Sequence, residues 1–150
     1  MKAKVSVEGI EEVKRALKEM GEEKRKQVEQ EVYASALDVQ TEAKGNLKDM
    51  QTWDLGNLAN SILVDKLEGG LAADIGPTAP YGVYVEHGTK PHFPPPDALE
   101  GWAKRHGFKS TWPICLAIAK RGTPARPYLV PAWEKVVDKF WKRIKEIVLK

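Results

Sequence analysis

Glu86, His87 and His92 lie close together around Gly88-Thr89-Lys90-Pro91, and side chains of these types are the ones that ligate zinc and related metals. Their spacing matches no established ligand pattern, and imidazoles that merely hydrogen-bond within a loop account for the same residues. Cys115 could act as a nucleophile. It stands, however, on the apolar face of Trp112-Pro113-Ile114-Cys115-Leu116-Ala117, where a free thiol behaves as a small buried hydrophobe. Asp54 and Asp97 read as a turn residue and a helix cap rather than as an acid/base pair. Phosphate-loop, dinucleotide, H-E-x-x-H and G-x-S-x-G patterns are absent. The expectation is a protein that is not an enzyme, with no catalytic residue, metal or cofactor.

Binding chemistry has more material. Lys104, Arg105, His106 and Lys109 form one basic cluster, and Lys120, Arg121 and Arg126 form another, with Trp102, Phe108 and Trp112 interleaved. Clusters at 104–109 and 120–126 could grip phosphates and stack bases, so a small nucleic-acid-binding module is one reading. The aromatics also fall where helix cores want them, and a net charge of only +3 suits solvated faces better. Trp53 lies in a polar loop and Trp141 sits off the main stripe of its helix. Each is a candidate interface anchor or a member of a satellite cluster within the chain.

The chain has 150 residues, 42% hydrophobic and 30% charged, which fits one domain spanning 1–150 and excludes global disorder. One cysteine permits no intramolecular disulfide. No apolar run approaches the roughly 20 residues of a membrane span, and the N-terminal residues do not resemble an export signal, so no membrane partner is expected.

Lys4 to Val7 alternates as a short strand; Ile10 to Met20 has helical spacing and stops at Gly21. A long helix is predicted over 22–47, with the narrow stripe Val28, Val32, Ala36, Val39, Ala43 and Leu47. Residues 45–56 read as a loop. Segments 61–67 and 71–75 around Gly69-Gly70 predict a hairpin. Residues 79–89 fit either helix or strand. Pro91, Pro94, Pro95 and Pro96 impose a stiff extended loop. Two short helices follow, one capped by Asp97 and one by Ser110 or Thr111, the second with Trp112, Cys115, Leu116 and Ala119 inward. A second stiff loop, 122–127, leads into a C-terminal helix from near Tyr128, with Leu129, Trp133, Val136, Val137, Phe140, Ile144, Ile147 and Val148 on its apolar face. The expected class is α+β: a small antiparallel sheet packed against a long helix and a C-terminal helix, with a helical insert at about 91–121.

Several segments resemble one family. Thr52-Trp53-Asp54-Leu55-Gly56-Asn57-Leu58-Ala59-Asn60-Ser61-Ile62 is similar to a D-T-G-x-L-x-x-S-I segment, and Tyr81-Gly82-Val83-Tyr84-Val85-Glu86-His87-Gly88-Thr89 to Y-A-x-Y-V-E-F-G-T. Gly122 to Ala132 is similar to a closing A-R-P-F-L-x-P-A, and Val7-Glu8-Gly9-Ile10 to a V-x-G-L start. Together they resemble the tail-component family of long-tailed bacteriophages and prophages, the neck or tail-completion proteins of the head–tail joint. The resemblance implies a structural virion protein, assembled in the host cytoplasm, that forms a ring, sixfold by analogy, through which DNA passes without sequence recognition. Its partners would be copies of itself, the connector or stopper, and tail-tube or terminator proteins. Trp53, Tyr84, Glu86, Gly88, Thr89, Arg126, Pro127 and Tyr128 are the expected fold- and interface-forming positions.

Overall fold

The computed structural model describes residues 9–50, 56–67 and 69–150. The expected strand at 4–7 and Trp53 lie outside the described residues. The elements run α1 (Ile10–Glu19), α2 (Glu22–Asp49), α3 (Asn57–Asn60), β1 (Ile62–Lys66), β2 (Ala73–Pro77), α4 (Gly82–His87), α5 (Pro96–Arg105), α6 (Trp112–Arg121) and α7 (Leu129–Val148).

Helices α2 and α7 pack antiparallel and form the spine. Lys135 meets Glu42 at 2.7 Å near one end, and Arg143 meets Glu31 at 3.0 Å toward the other. The hydrogen bond to Glu31 raises the pKa of Arg143 further. The stripe of alanine and valine expected on α2 is the buried one, and Ala43 faces a seam that also holds the fully buried Ala132 of α7. Small side chains at these two positions let the backbones approach closely, which is what a narrow apolar stripe permits. Two clusters result. One gathers Val39, Ala43, Leu47, Leu58, Ile62, Tyr128, Ala132 and Val136, and the other Val13, Val28, Ile144 and Val148. Trp141 packs half-buried in the second beside Phe140, ring centroids 5.3 Å apart, so it is absorbed within the chain.

Among the described residues the sheet is a two-stranded antiparallel hairpin laid on α2, with Ile62 opposite Pro77 and Lys66 opposite Ala73. Ile62 is buried, Ile75 packs on the first cluster, and Gln40 Nε2 on α2 donates to Ile62 O at 2.6 Å. The α+β class is as expected. Some boundaries differ from the sequence reading. Helix α2 continues through Gly45 to Asp49, held by packing at Leu47, and β2 lies two residues later than 71–75. Asp97 does not cap α5: Pro95 precedes the helix and Pro96 is its first residue, where proline's fixed φ fits and its missing N–H costs nothing. Trp112 and Leu116 point outward rather than inward, because α6 buries only the side carrying Cys115. The buried Ala103 and Cys115 belong to neither main cluster.

Candidate functional site

Within residues 79–89, ambiguous by periodicity, Gly82–His87 form the short helix α4, and tertiary bonds are what hold it. The start of α7 faces it. The first residues of any helix present N–H groups with no intrahelical partner. Here the carboxylate of Glu86 accepts all of them: Tyr128 N at 2.8 Å and Leu129 N at 2.9 Å on Oε2, and Val130 N at 3.0 Å on Oε1. The next residue, Pro131, has no N–H to satisfy. Tyr128 at the N-cap has no side-chain oxygen placed to cap its own helix, so a buried carboxylate from 42 residues earlier does so. Its negative charge also complements the positive end of the helix dipole.

Tyr128 returns the contact. Its ring is buried, its hydroxyl donates to Gly82 O at 3.1 Å, and its carbonyl accepts from Asn46 Nδ2 at 2.9 Å. Gly82 has room for no side chain, since a Cβ would lie 2.5 Å from Pro77 Cγ and 2.9 Å from the Tyr128 hydroxyl. Arg126 N donates to Val85 O at 2.8 Å. At the far end, Thr89 N donates to Thr123 O, and Thr123 N donates to Thr89 Oγ1, each at 3.0 Å, with the two hydroxyls 2.9 Å apart. The segments 81–89 and 122–130 are thereby knit into one clamp, with residues 90–121 looping out between its arms.

Burial pushes the Tyr128 hydroxyl up to about 12, and the charge of Glu86 and then Tyr81 add to the rise. A folded-state pKa above the unfolded value of about 10 means that the native state holds its proton longer. The associated stability is present below pH 10 and is lost as pH rises from about 10 toward 12. Tyr128→Phe is expected to cost about 1 kcal/mol at neutral pH through the lost hydrogen bond. It should also remove about 2 kcal/mol of the alkaline decline, to within a factor of two. Urea unfolding of both proteins from pH 7 to 11 checks this; parallel curves above pH 10 would refute it.

The clamp accounts for several of the expected site residues. Glu86 and Tyr128 are buried in it, Gly88 and Thr89 lie half-buried at its closure, and Tyr84, Arg126 and Pro127 present exposed side chains. Residues that sequence reasoning missed are Asn46, for which no signal existed, and Gly82, whose signal was the small residue in the Tyr81-to-Thr89 segment. Glu86, His87 and His92 do not converge. Both Glu86 oxygens are engaged, His92 Nδ1 is 2.8 Å from Lys90 O, and no group of three potential ligands gathers among the described residues. Lys104 and Arg105 sit at the last turn of α5 and Lys120 and Arg121 at that of α6, where helix dipoles favour cations. Trp102 is flanked by His106 at 4.1 Å and Phe108 at 5.7 Å, so its faces are occupied within the chain. No described helix is long and apolar enough to cross a membrane.

The model of the family described as "Bacteriophage HK97-gp10, putative tail-component" matches residues 4–88, more than half of the chain. The chain belongs to this family of structural phage tail components, which are not enzymes, and this implies a place in the virion among other virion proteins. No match was found among curated proteins or among solved structures. The matched residues end at Gly88, so the closing segment 122–132 lies beyond them in sequence while packing directly onto them in space.

Proposed function

We propose that this chain is a neck or tail-completion subunit, forming a homo-oligomeric ring at the head–tail interface through which DNA passes. The observation that carries this reading is the outward face of α4. Tyr81 at the N-cap and Val83 and Tyr84 in the helix are all exposed, while Glu86 and the bond from Arg126 N to Val85 O pin the helix to the other arm of the clamp. An apolar ridge held this rigidly loses little conformational entropy on docking. Arg126 and Pro127 are exposed on the other arm of the same clamp, so Tyr84, Arg126 and Pro127 are the proposed contacts, together with Trp53, which lies outside the described residues. Glu86, Gly88, Thr89 and Tyr128 hold those contacts in place. The helical segment 91–121 is read as an insert within a single domain.

A protein inventory of purified tailed particles tests the assignment. A handful of copies per particle is expected, and hundreds would make the chain a tube or shell subunit instead. Tyr84→Ala and Arg126→Ala should each reduce the yield of joined, infectious particles severalfold while leaving urea unfolding within about 0.5 kcal/mol of the parent, as for exposed side chains. Normal joining in both variants would remove these residues from the interface.

A further inference from the structure

We propose that the outer face of the β1–β2 hairpin is covered by helix α6 of a second copy of this chain, so that neighbouring subunits join head to tail; this contact rests on the ring reading above.

Among the described residues, the hairpin has α2 on one face only. Ile62, Val64 and Ile75 turn toward that helix, whereas Leu63, Asp65, Leu67, Ala72 and Asp74 alternate onto the other face and are exposed. Leu63 and Leu67, with Leu71 in the turn, give this face an apolar character that a sheet ordinarily buries. Asp65 stands directly opposite Asp74 in the register. Like charges so placed destabilise a strand pair, and neither carboxylate has an ion pair among the described residues. A cationic, apolar cover would relieve both conditions.

Helix α6 has the matching character. Trp112, Leu116 and Lys120 recur every four residues and are all exposed, forming one stripe. The half-exposed Phe93 ring extends it, edge-on to Trp112 at 5.5 Å. Residues 89–126 hold seven Lys or Arg against two Asp or Glu, a net of +5, which leaves −2 for the rest of the chain. From Trp112 to Lys120 the stripe spans about 12 Å at the helical rise, and Leu63 to Leu67 spans about 13 Å along the strand. With its hairpin offered to one neighbour and its α6 to the other, each subunit makes a heterologous contact, which a closing rotation repeats into a ring.

The test is cross-linking of full-length protein carrying Leu63→Cys and Leu116→Cys together, using a short bismaleimide. The parent serves as control, since its single Cys115 is fully buried. The double variant is expected to give a ladder up to the closed ring, and a mixture of the two single variants should give a covalent dimer and nothing larger. Lys120→Glu should lower the cross-linked fraction about tenfold, and Asp65→Lys with Asp74→Lys should restore it. Monomer alone at millimolar protein overturns the contact, as do sedimenting oligomers without a ladder. So does a Lys120→Glu effect confined to retention of duplex DNA, which would assign α6 to nucleic acid. A low copy number in particles combined with an absent ladder would overturn this contact and leave the ring reading standing.

Discussion

Glu86→Ala is expected to lower the unfolding free energy by about 3–5 kcal/mol, or to abolish the cooperative transition. The carboxylate accepts three backbone N–H groups at 2.8–3.0 Å in a buried setting, and alanine leaves all three donors without a partner. Each buried unsatisfied donor costs about 1–3 kcal/mol, offset where water can enter the space left behind. A neutral cap placed by its own residue is worth only about 1 kcal/mol, so the size of the effect distinguishes this remote carboxylate from an ordinary cap. Glu86→Gln should recover about half of the loss. It keeps one acceptor oxygen but turns an amide N–H₂ toward a backbone donor. Urea denaturation at neutral pH measures all three proteins, and a change below about 1 kcal/mol in Glu86→Ala would show that α7 starts without this carboxylate.

The second large effect concerns the two glycines that flank the looped-out segment. Gly88 (φ 71°, ψ 179°) and Gly122 (φ 70°, ψ −163°) share a backbone conformation essentially restricted to glycine. Their Cα atoms also lie where the two arms of the clamp touch. A Cβ on Gly122 would fall 2.1 Å from Thr89 O, and one on Gly88 would fall 2.7 Å from Ala125 N and Thr123 O. Backbone atoms on both sides leave no flexible group to move aside. Gly122→Ala is therefore expected to cost about 3 kcal/mol or more, and Gly88→Ala slightly less, by opening the bridge between Thr89 and Thr123. Gly107 supplies the control. It too has a positive φ of 78°, yet nothing lies within 4 Å of its Cβ position. Gly107→Ala should cost only the conformational strain, about 1 kcal/mol. Equal losses at Gly107 and Gly122 would mean that backbone conformation alone, and not the close approach, makes glycine necessary at 122.

Much of the framework was legible in the residues because helical periodicity is local. The Val28-to-Leu47 stripe and the apolar face from Leu129 to Val148 identify α2 and α7, and the Gly69-Gly70 pair locates the hairpin, with no tertiary information. The same reasoning misplaced Trp112 and Leu116. Amphipathic spacing shows that a helix has an apolar face but not whether the partner for that face lies within the same chain. Residues 79–89 fit either period because the helix within them, Gly82–His87, is only six residues long, too few for either period to declare itself.

By itself, the sequence determined the α+β class, the two long helices with their buried stripes, the core placement of Cys115, and the resemblance to a phage tail component, all of which depend on neighbours a few residues apart. Only the tertiary structure decided that Glu86 caps α7, that Tyr128 locks onto Gly82, and that Gly88 and Gly122 close a clamp around the basic segment. Those pairings join residues 34 to 46 positions apart. Which donors a carboxylate meets over such a separation follows from how α2, α4 and α7 pack, and no spacing rule along the chain encodes it.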